Sequence, residues 1–375
     1  MEHTKKHLWF WLALFTGLIF VSVLFVTIRL SRSSSASQDI LKAQTQVEEI
    51  HISTPEQIIE PTVPDVKQVH MIAVGDMMLD RTVYLYTLGA KDFYFPFQKI
   101  GDFLQSADIS VGNVEGPITN FVSVANGEGS QRLVFTFSPK FVGPLETYFD
   151  VVSLANNHML NFGEKGLAQA REFLASSTLG YFGDPLNRLG NISTIVEKNG
   201  IRFAFIGFHE LVETGFDNVL SEIEDLEDQV DLTIVYPHWG YEYVTTNPSK
   251  PQIEEAHALI DAGADFIIGT HPHVIQPIEI YKEKLIFYSL GNFVFDQYFS
   301  EETQQGLALD FAFEKVGAEK IDFEVKLVPI RISEKSQPYI ALSPEKEAIL
   351  NALSKYSEVP SSTQEMIEKG FISAQ

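Results

Sequence analysis

The chain has no cysteine among its 375 residues, and that absence removes two chemistries at once. No disulfide can staple it and no thiolate can hold a metal, so any metal site must be built from His, Asp, Glu and Asn. Such usage fits an extracytoplasmic bacterial protein that does without disulfides. Positive charge is scarce as well: 27 Lys and Arg stand against 50 Asp and Glu, for a formal net charge of −23. A surface of that sign repels phosphate backbones, which argues against nucleic acid as a partner. No internal repeat is present. What remains is globular in character, 45% hydrophobic and 21% charged, with length for one large domain or two ordinary ones.

The N-terminus departs from that average. Leu8 to Ile28 runs without a charge, long enough to span a bilayer as a helix. Lys5 and Lys6 precede it and Arg29 and Arg32 follow it, so flanking charge does not set an orientation. A cleavable signal peptide is the rival reading, with Ser34 to Ala36 as a cleavage site. The apolar stretch is longer than a usual signal core, which favours an uncleaved anchor. The simplest topology is a single pass at the cell membrane, with residues 1–30 as tail and anchor and the large domain extracytoplasmic. Residues 31–66 are rich in Ser, Thr, Gln, Glu and Pro and read as a flexible stalk.

From Val69 onward, short apolar runs alternate with helical patterns, the signature of an α/β fold. The runs are 70–74, 107–111, 150–155, 202–207, 231–236 and 264–269. Glu164–Ser176 and Gln252–Ala262 read as amphipathic helices between them. After Val274 the segments VIQPIEIY, KLIFYSL, LALDFAFE and KIDFEVKLVPIRI read as consecutive antiparallel strands. The expected organisation is a domain over 67–333 and a C-terminal extension over 334–375. The extension holds a short helix at Pro344–Tyr356 followed by a polar tail.

The residues that follow the runs carry the chemistry. Gly75-Asp76 follows the first, Gly112-Asn113-Val114-Glu115 the second, and Asn156-Asn157-His158 the third. Pro237-His238-Trp239-Gly240 and Thr270-His271-Pro272-His273 follow two later ones. The C-terminal edge of an open α/β sheet is where loops converge and ligands bind. Taken singly, each of these is as well explained by a turn or a packed histidine. Five independent turns all carrying oxygen or imidazole donors at one edge are better explained by a metal site. In His271-Pro272-His273, two imidazoles two residues apart in an extended segment point the same way. His70, His209 and His257 read instead as structural or solvated.

These motifs together, GDMMLDR, GNVEGPIT, SLANNHMLNFGEKGL, HWGYEY, GADFIIGTHPHVIQP and FYSLGNFVFDQ, closely resemble the CapA/PgsA family of poly-γ-glutamate capsule-synthesis proteins. The resemblance covers Val69 to Arg331. It implies a calcineurin-like metallophosphoesterase fold, a four-layer α/β/β/α sandwich with a dinuclear metal centre. By that resemblance Asp76, Asn157, His238, His271 and His273 are metal ligands and His158 completes the Asn-His pair. Two departures stand out. Met78 occupies the place of the histidine in the first Asp-x-His motif, and Glu115 stands in for the usual bridging aspartate.

Two functions follow. In the first, Asp76, Glu115, Asn157, His238, His271 and His273 hold one or two divalent ions (Mn, Zn or Fe by ligand type) in a hydrolase. Asp76 and His158 are then the catalytic pair, with His158 an acid or oxyanion donor, and Arg81, Asn113, Glu242 and Asn292 are candidate substrate contacts. The bond cleaved would be an ester, phosphodiester or γ-glutamyl amide, in the capsule or in another cell-envelope substrate. In the second, the domain is a non-catalytic assembly component that binds an anionic polymer such as poly-γ-glutamate and membrane polymer-synthase subunits.

Overall fold

The structure, a computed structural model, describes residues 66–125, 133–317 and 321–373. The apolar stretch Leu8–Ile28 and nearly all of the 31–66 segment lie outside the described residues, so neither the anchor nor the stalk can be followed. Among the described residues, no helix is long and apolar enough to cross a membrane.

Among the described residues, fifteen strands form two sheets. In chain order the first sheet opens with β1 (Val66–Met77), β2 (Ile109–Val114), β3 (Val151–Ser153) and β4 (Gly180–Phe182). The second takes β5 (Ser193–Lys198), β6 (Ile201–His209), β7 (Leu232–His238), β8 (Phe266–Ile268), β9 (Ile278–Tyr281) and β10 (Lys284–Phe287). The chain then returns to the first with β11 (Asn292–Val294), β12 (Gln305–Val316), β13 (Ile321–Ile332), β14 (Pro338–Ile340) and β15 (Phe371–Ser373). The first sheet runs β14-β13-β12-β1-β2-β3-β4, with β11 beside β1 and β15 beside β13; the second runs β5-β6-β7-β8-β10-β9.

Strand alternation explains the layers. On β1, Val69, Met71 and Ala73 face the second sheet, where they meet Phe203, Phe205, Ile234, Tyr236 and Phe266. Ile72 and Val74 face the other way, against Val83, Leu145, Leu167, Ala170 and Leu174 of the helices α1 (Arg81–Ala90), α3 (Val142–Tyr148) and α4 (Gly163–Ala175); the short α2 (Gly101–Leu104) adds Leu104. The outer face of the second sheet is covered by α5 (Phe216–Leu226) and α6 (Lys250–Asp261) through Val219, Ile223, Ala256 and Leu259. A strand with both faces covered reads as a continuous apolar run, which is why these runs were visible in the sequence. The result is helix, sheet, sheet, helix, in that order. The two helices expected from periodicity are α4 and α6, each displaced by one or two residues. The latter is started by Ser249, whose Oγ accepts from Gln252 N at 3.3 Å while Gln252 Oε1 accepts from Ser249 N at 2.8 Å.

The stretch after Val274 departs from the expected run of antiparallel strands. The pairs β9–β10 and β12–β13 are antiparallel, but they belong to different sheets, and β10 lies parallel to β8. Alternating hydrophobicity marks a strand without naming its partner. The expected polar tail is also folded. Beyond α7 (Glu345–Tyr356), a further helix α8 (Ser361–Lys369) leads into β15, and Ile349, Leu350, Leu353, Ile367 and Ile372 are buried. Leu350, Leu353, Ile367 and Ile372 join the core between the sheets.

Candidate metal centre

Every strand that the sequence singled out ends at one place. Asp76 closes β1 and Asn113 lies beside it in register on β2; Glu115 follows at once. His238 closes β7, and Thr270 bridges to it at the start of the loop after β8. The backbone comes very close here. A Cβ on Gly75 would lie 1.9 Å from the Gly291 carbonyl oxygen, so only glycine lets β1 cross the turn into β11. That contact sets Asp76, whose N–H donates to Gly291 O at 3.1 Å.

The His271-Pro272-His273 segment is not extended, contrary to the sequence expectation. His271 has φ 96 and His273 φ 59, so both sit in the left-handed region. Non-glycine residues there cost on the order of 1–3 kcal/mol each, and such strain persists only where surrounding structure enforces it. Part of that enforcement is visible: His271 N–H donates to Asp76 Oδ2 at 3.0 Å.

The donors and acceptors can be assigned atom by atom. Asn292 Nδ2 donates to Thr303 O and Gln297 Oε1, so its Oδ1 faces His273 Nδ1 at 3.0 Å and that nitrogen carries the proton. Asn161 Oδ1 accepts from Phe135 N and likewise takes His158 Nδ1–H at 3.1 Å. The Nε2 atoms of His273 and His158 are therefore bare. They lie 3.6 and 3.7 Å from Glu115 Oε1. His238 Nδ1 lies between the Thr270 hydroxyl, which donates to Pro237 O, at 3.1 Å and the Asn113 Nδ2 donor at 3.3 Å, so these contacts do not assign its proton to one ring nitrogen. Its Nε2 lies 3.1 Å from both His271 Nδ1 and Asn157 Oδ1.

Glu115 is the anomaly. It is fully buried, and neither of its carboxylate oxygens has a hydrogen-bond partner among the described residues. Its neighbours Asp76, His158 and His273 present acceptors rather than donors. Burial, with Asp76 and Glu242 adding to it, pushes its carboxyl well above the ordinary range. Asp76 is raised from 3.8 to about 7 by burial, against the opposing hydrogen bonds from Asn113 Nδ2 (2.8 Å) and His271 N–H. The imidazoles move the other way. Burial lowers His158 to about 4 and His271 to about 3, and His238 and His273 fall well below their usual value. A pocket of buried acceptors with neutral histidines and strained carboxyls fits a cation. Asp76, Glu115 and His273 offer ligand atoms within 4.8 Å of one another, as do Glu242, His271 and His273.

Not every candidate touches that pocket in the role expected. Asn113 is fully buried with its amide committed, Nδ2 to Asp76 and Oδ1 to Asn156 Nδ2 at 3.0 Å, so it positions Asp76. Asn292 is 1% exposed and orients His273. Neither is placed to meet substrate. Arg81 is held by Asp296 and lies over Phe135 and Phe295 at 5.3 and 5.7 Å, on the rim. Glu242 is exposed on the loop after β7, beside Tyr243, whose ring stacks on His273 at 6.1 Å. Half-buried Asn157 reaches His238, while its neighbour Asn156, which sequence reasoning passed over, is the one that braces Asn113. Of the three histidines set aside, His70 pairs with Asp310 and His257 stacks on Tyr281 at 3.7 Å. His209 does not fit that description. It stands beside His238 in register.

Comparison with known proteins agrees with the motifs. The model of the bacterial capsule synthesis protein PGA_cap matches residues 70–297. The capsule biosynthesis protein CapA of Bacillus anthracis is 31% identical over 307 residues, which is 76% of this chain and 72% of that protein. The PGA biosynthesis protein CapA of Bacillus subtilis is 31% identical over 304 residues, 76% of this chain and 77% of that one. Among solved structures, the calcineurin-like phosphoesterase YfkN of Bacillus subtilis aligns over 69% of this chain and 90% of its own, at 13% identity and a TM-score of 0.38. On the strength of a match spanning every strand that delivers a donor, the chain belongs to the bacterial capsule synthesis protein family.

Proposed function

We propose that this protein acts in the synthesis, export or anchoring of a poly-γ-glutamate-type anionic capsule polymer, and does so through a divalent-metal centre at the strand ends. The observation that carries the metal reading is Glu115, a buried carboxylate without a single donor among the described residues, set beside Asp76 and His273. Leaving such a group unpaired costs several kcal/mol, and a cation is what this neighbourhood lacks. Asp76, Glu115 and His273 would hold an ion on one side; His238, His271 and Asn157 offer a second, nitrogen-rich position, with Glu242 at the open edge. Mn, Zn or Fe suits this mixture of carboxylate and imidazole, and would supply a water of lowered pKa and a Lewis acid for a phosphoryl or acyl oxygen.

The chain's own residues would do the rest. Asn292 and Asn161 fix the imidazoles of His273 and His158 with Nε2 bare, so these two rings are oriented before anything binds. With Nδ1 carrying the proton, neutral His158 has no hydrogen on Nε2 to give. Its place is that of an acceptor beside Glu115, which becomes a proton source only after taking a proton up. The anchor at 8–28, the extracytoplasmic location and the membrane synthase partners belong to the same proposal, supported by the apolar N-terminal sequence and by the capsule-related relatives. A second reading, a phosphoesterase or amide hydrolase on another envelope substrate, draws on the same donor set.

Metal content decides the first step. The native protein is expected to hold one or two equivalents of a divalent ion, and His271→Ala/His273→Ala is expected to lose them. A native protein without metal after reconstitution with Mn or Zn removes the proposal. With metal present, turnover of γ-glutamyl amides against phosphoesters separates the two substrate readings.

A further inference from the structure

One histidine at the strand ends has no part in the donor set above. β6 ends at His209, directly beside His238 across a parallel ladder. Residues in register on neighbouring strands project to the same face of a sheet. The two rings accordingly lie 6.0 Å apart at 62°.

The surroundings of His209 are those of a positioned group. Its Nδ1 lies 2.8 Å from Pro185 O, and a carbonyl has no proton to offer, so Nδ1 carries the hydrogen and Nε2 is a bare lone pair. The residue is 3% exposed, and Nε2 has no partner among the described residues. Its backbone is clamped as well. His209 N–H donates to Asn187 Oδ1 at 2.9 Å, and Asn187 Nδ2 donates back to His209 O at 2.9 Å. Burial lowers the pKa of the ring, which favours its neutral form. A carbonyl or amide oxygen holding Nδ1–H is the same device that orients His158 and His273. A histidine kept only for packing would have both nitrogens satisfied, because buried polar atoms are rarely left alone. Among the described residues, no group of three ligand atoms within 4.8 Å of one another includes His209.

We infer that His209 is a fifth histidine of the centre, a positioning residue whose Nε2 accepts a hydrogen bond from an O–H or N–H group held beside His238 and His271. That group is either a water molecule or an N–H of the substrate. The inference rests on the strand-end site proposed above and assigns it an acceptor on its β6 side.

Two measurements test it. In protein labelled with 15N-histidine, long-range proton–nitrogen spectra read the tautomer, with His209 assigned by its loss in His209→Gln. The expected form at pH 7 is Nδ1–H with Nε2 unprotonated; an Nε2–H form overturns the inference. The second uses the cobalt-loaded protein titrated with acetohydroxamate, which brings an N–H donor, and with acetate, which does not. In His209→Phe, cobalt stoichiometry should match the wild type while hydroxamate binds about tenfold more weakly, the loss of one buried hydrogen bond. His209→Gln, whose Oε1 also accepts, should stay within about threefold. Weakening of hydroxamate alone identifies a substrate N–H as the donor, and equal weakening of both ligands identifies water. Unchanged binding of both in His209→Phe, or loss of cobalt from that variant, overturns the inference. Should the wild type bind no metal at all, the metal proposal falls, and the tautomer alone still decides for or against His209.

Discussion

Loading this centre with metal is expected to expel protons, and their number follows from the site. Asp76 is raised to about 7 and Glu115 lies well above the carboxylate range. The imidazoles are depressed, His158 to about 4 and His271 to about 3, with His238 and His273 also well down, so near neutrality they hold no proton to lose. At pH 6 a carboxyl of pKa about 7 is about 0.9 protonated, so Asp76 releases about 0.9 proton, and Glu115, raised well above its ordinary value, adds its own share. At pH 8 the Asp76 share falls to about 0.1. Affinity should therefore climb by at least about tenfold per pH unit below pH 6, and the Asp76 part of that slope should flatten near pH 8. Calorimetric titration in buffers of different ionisation enthalpy reads the proton count directly. Histidines of ordinary pKa would each add about 0.8 proton at pH 6. A release of four or more there would refute the neutral imidazoles, and a release near zero would refute the raised carboxyls.

Two further expectations use the same groups and the C-terminal packing. Glu115→Gln should abolish metal binding yet stabilise the metal-free protein at pH 8. Removing a buried carboxyl whose pKa the fold raises well above its unfolded value is worth about 2–4 kcal/mol, some 4–8 °C in melting temperature for a domain of this size, and a lowered melting point would contradict the assignment. The sign follows from linkage, since a carboxyl raised in the fold is protonated at no cost at low pH and destabilises as pH rises through its folded pKa. Deleting residues 343–375 should remove five buried apolar side chains at about 1.5 kcal/mol or more each, and with them cooperative melting; an unchanged transition would make that segment an appendage.

How much of this was legible in the sequence depends on the range of the force involved. The runs at 70–74, 202–207 and 231–236 are strands because both of their faces are covered, and burial writes itself into composition. The residues after them could be read as a site because strand ends are determined locally. Partnership could not be read. KLIFYSL and LALDFAFE look alike, yet β10 and β12 lie in different sheets. Nor could the shape of His271-Pro272-His273, where positive φ is imposed by the Asp76 hydrogen bond from 195 residues away. α8 was invisible because SSTQEMIEK buries only Thr363 and Ile367, and packing rather than periodicity sustains it. His209 left one readable trace, its place at the end of an apolar run, and the deciding fact, the Pro185 carbonyl on Nδ1, is tertiary.

Met78 stands apart from the strand-end cluster. Register between β1 and its neighbours shifts on both sides of Asp76, between Ala73 and Asp76 against β2 and between Asp76 and Met77 against β11. Past that irregularity Met78 turns into the helix-side core with Met77 and Leu79, fully buried, its sulfur 3.2 Å from Asp80 N. It leaves no gap in the site that an imidazole should fill. Glu115 comes instead from the end of β2 to stand with Asp76 and His273, which makes this half of the centre oxygen-rich and doubly acidic. The other half, His238, His271 and Asn157, is neutral and nitrogen-rich. A single divalent ion would cancel the two carboxylates and leave no net charge. A second, in the nitrogen-rich half, would leave the centre positive even against the Glu242 carboxylate at its open edge. On a chain of net charge −23, that local surplus is what would let a polyanion approach, and it would draw the polymer to the strand ends rather than to the rest of the surface.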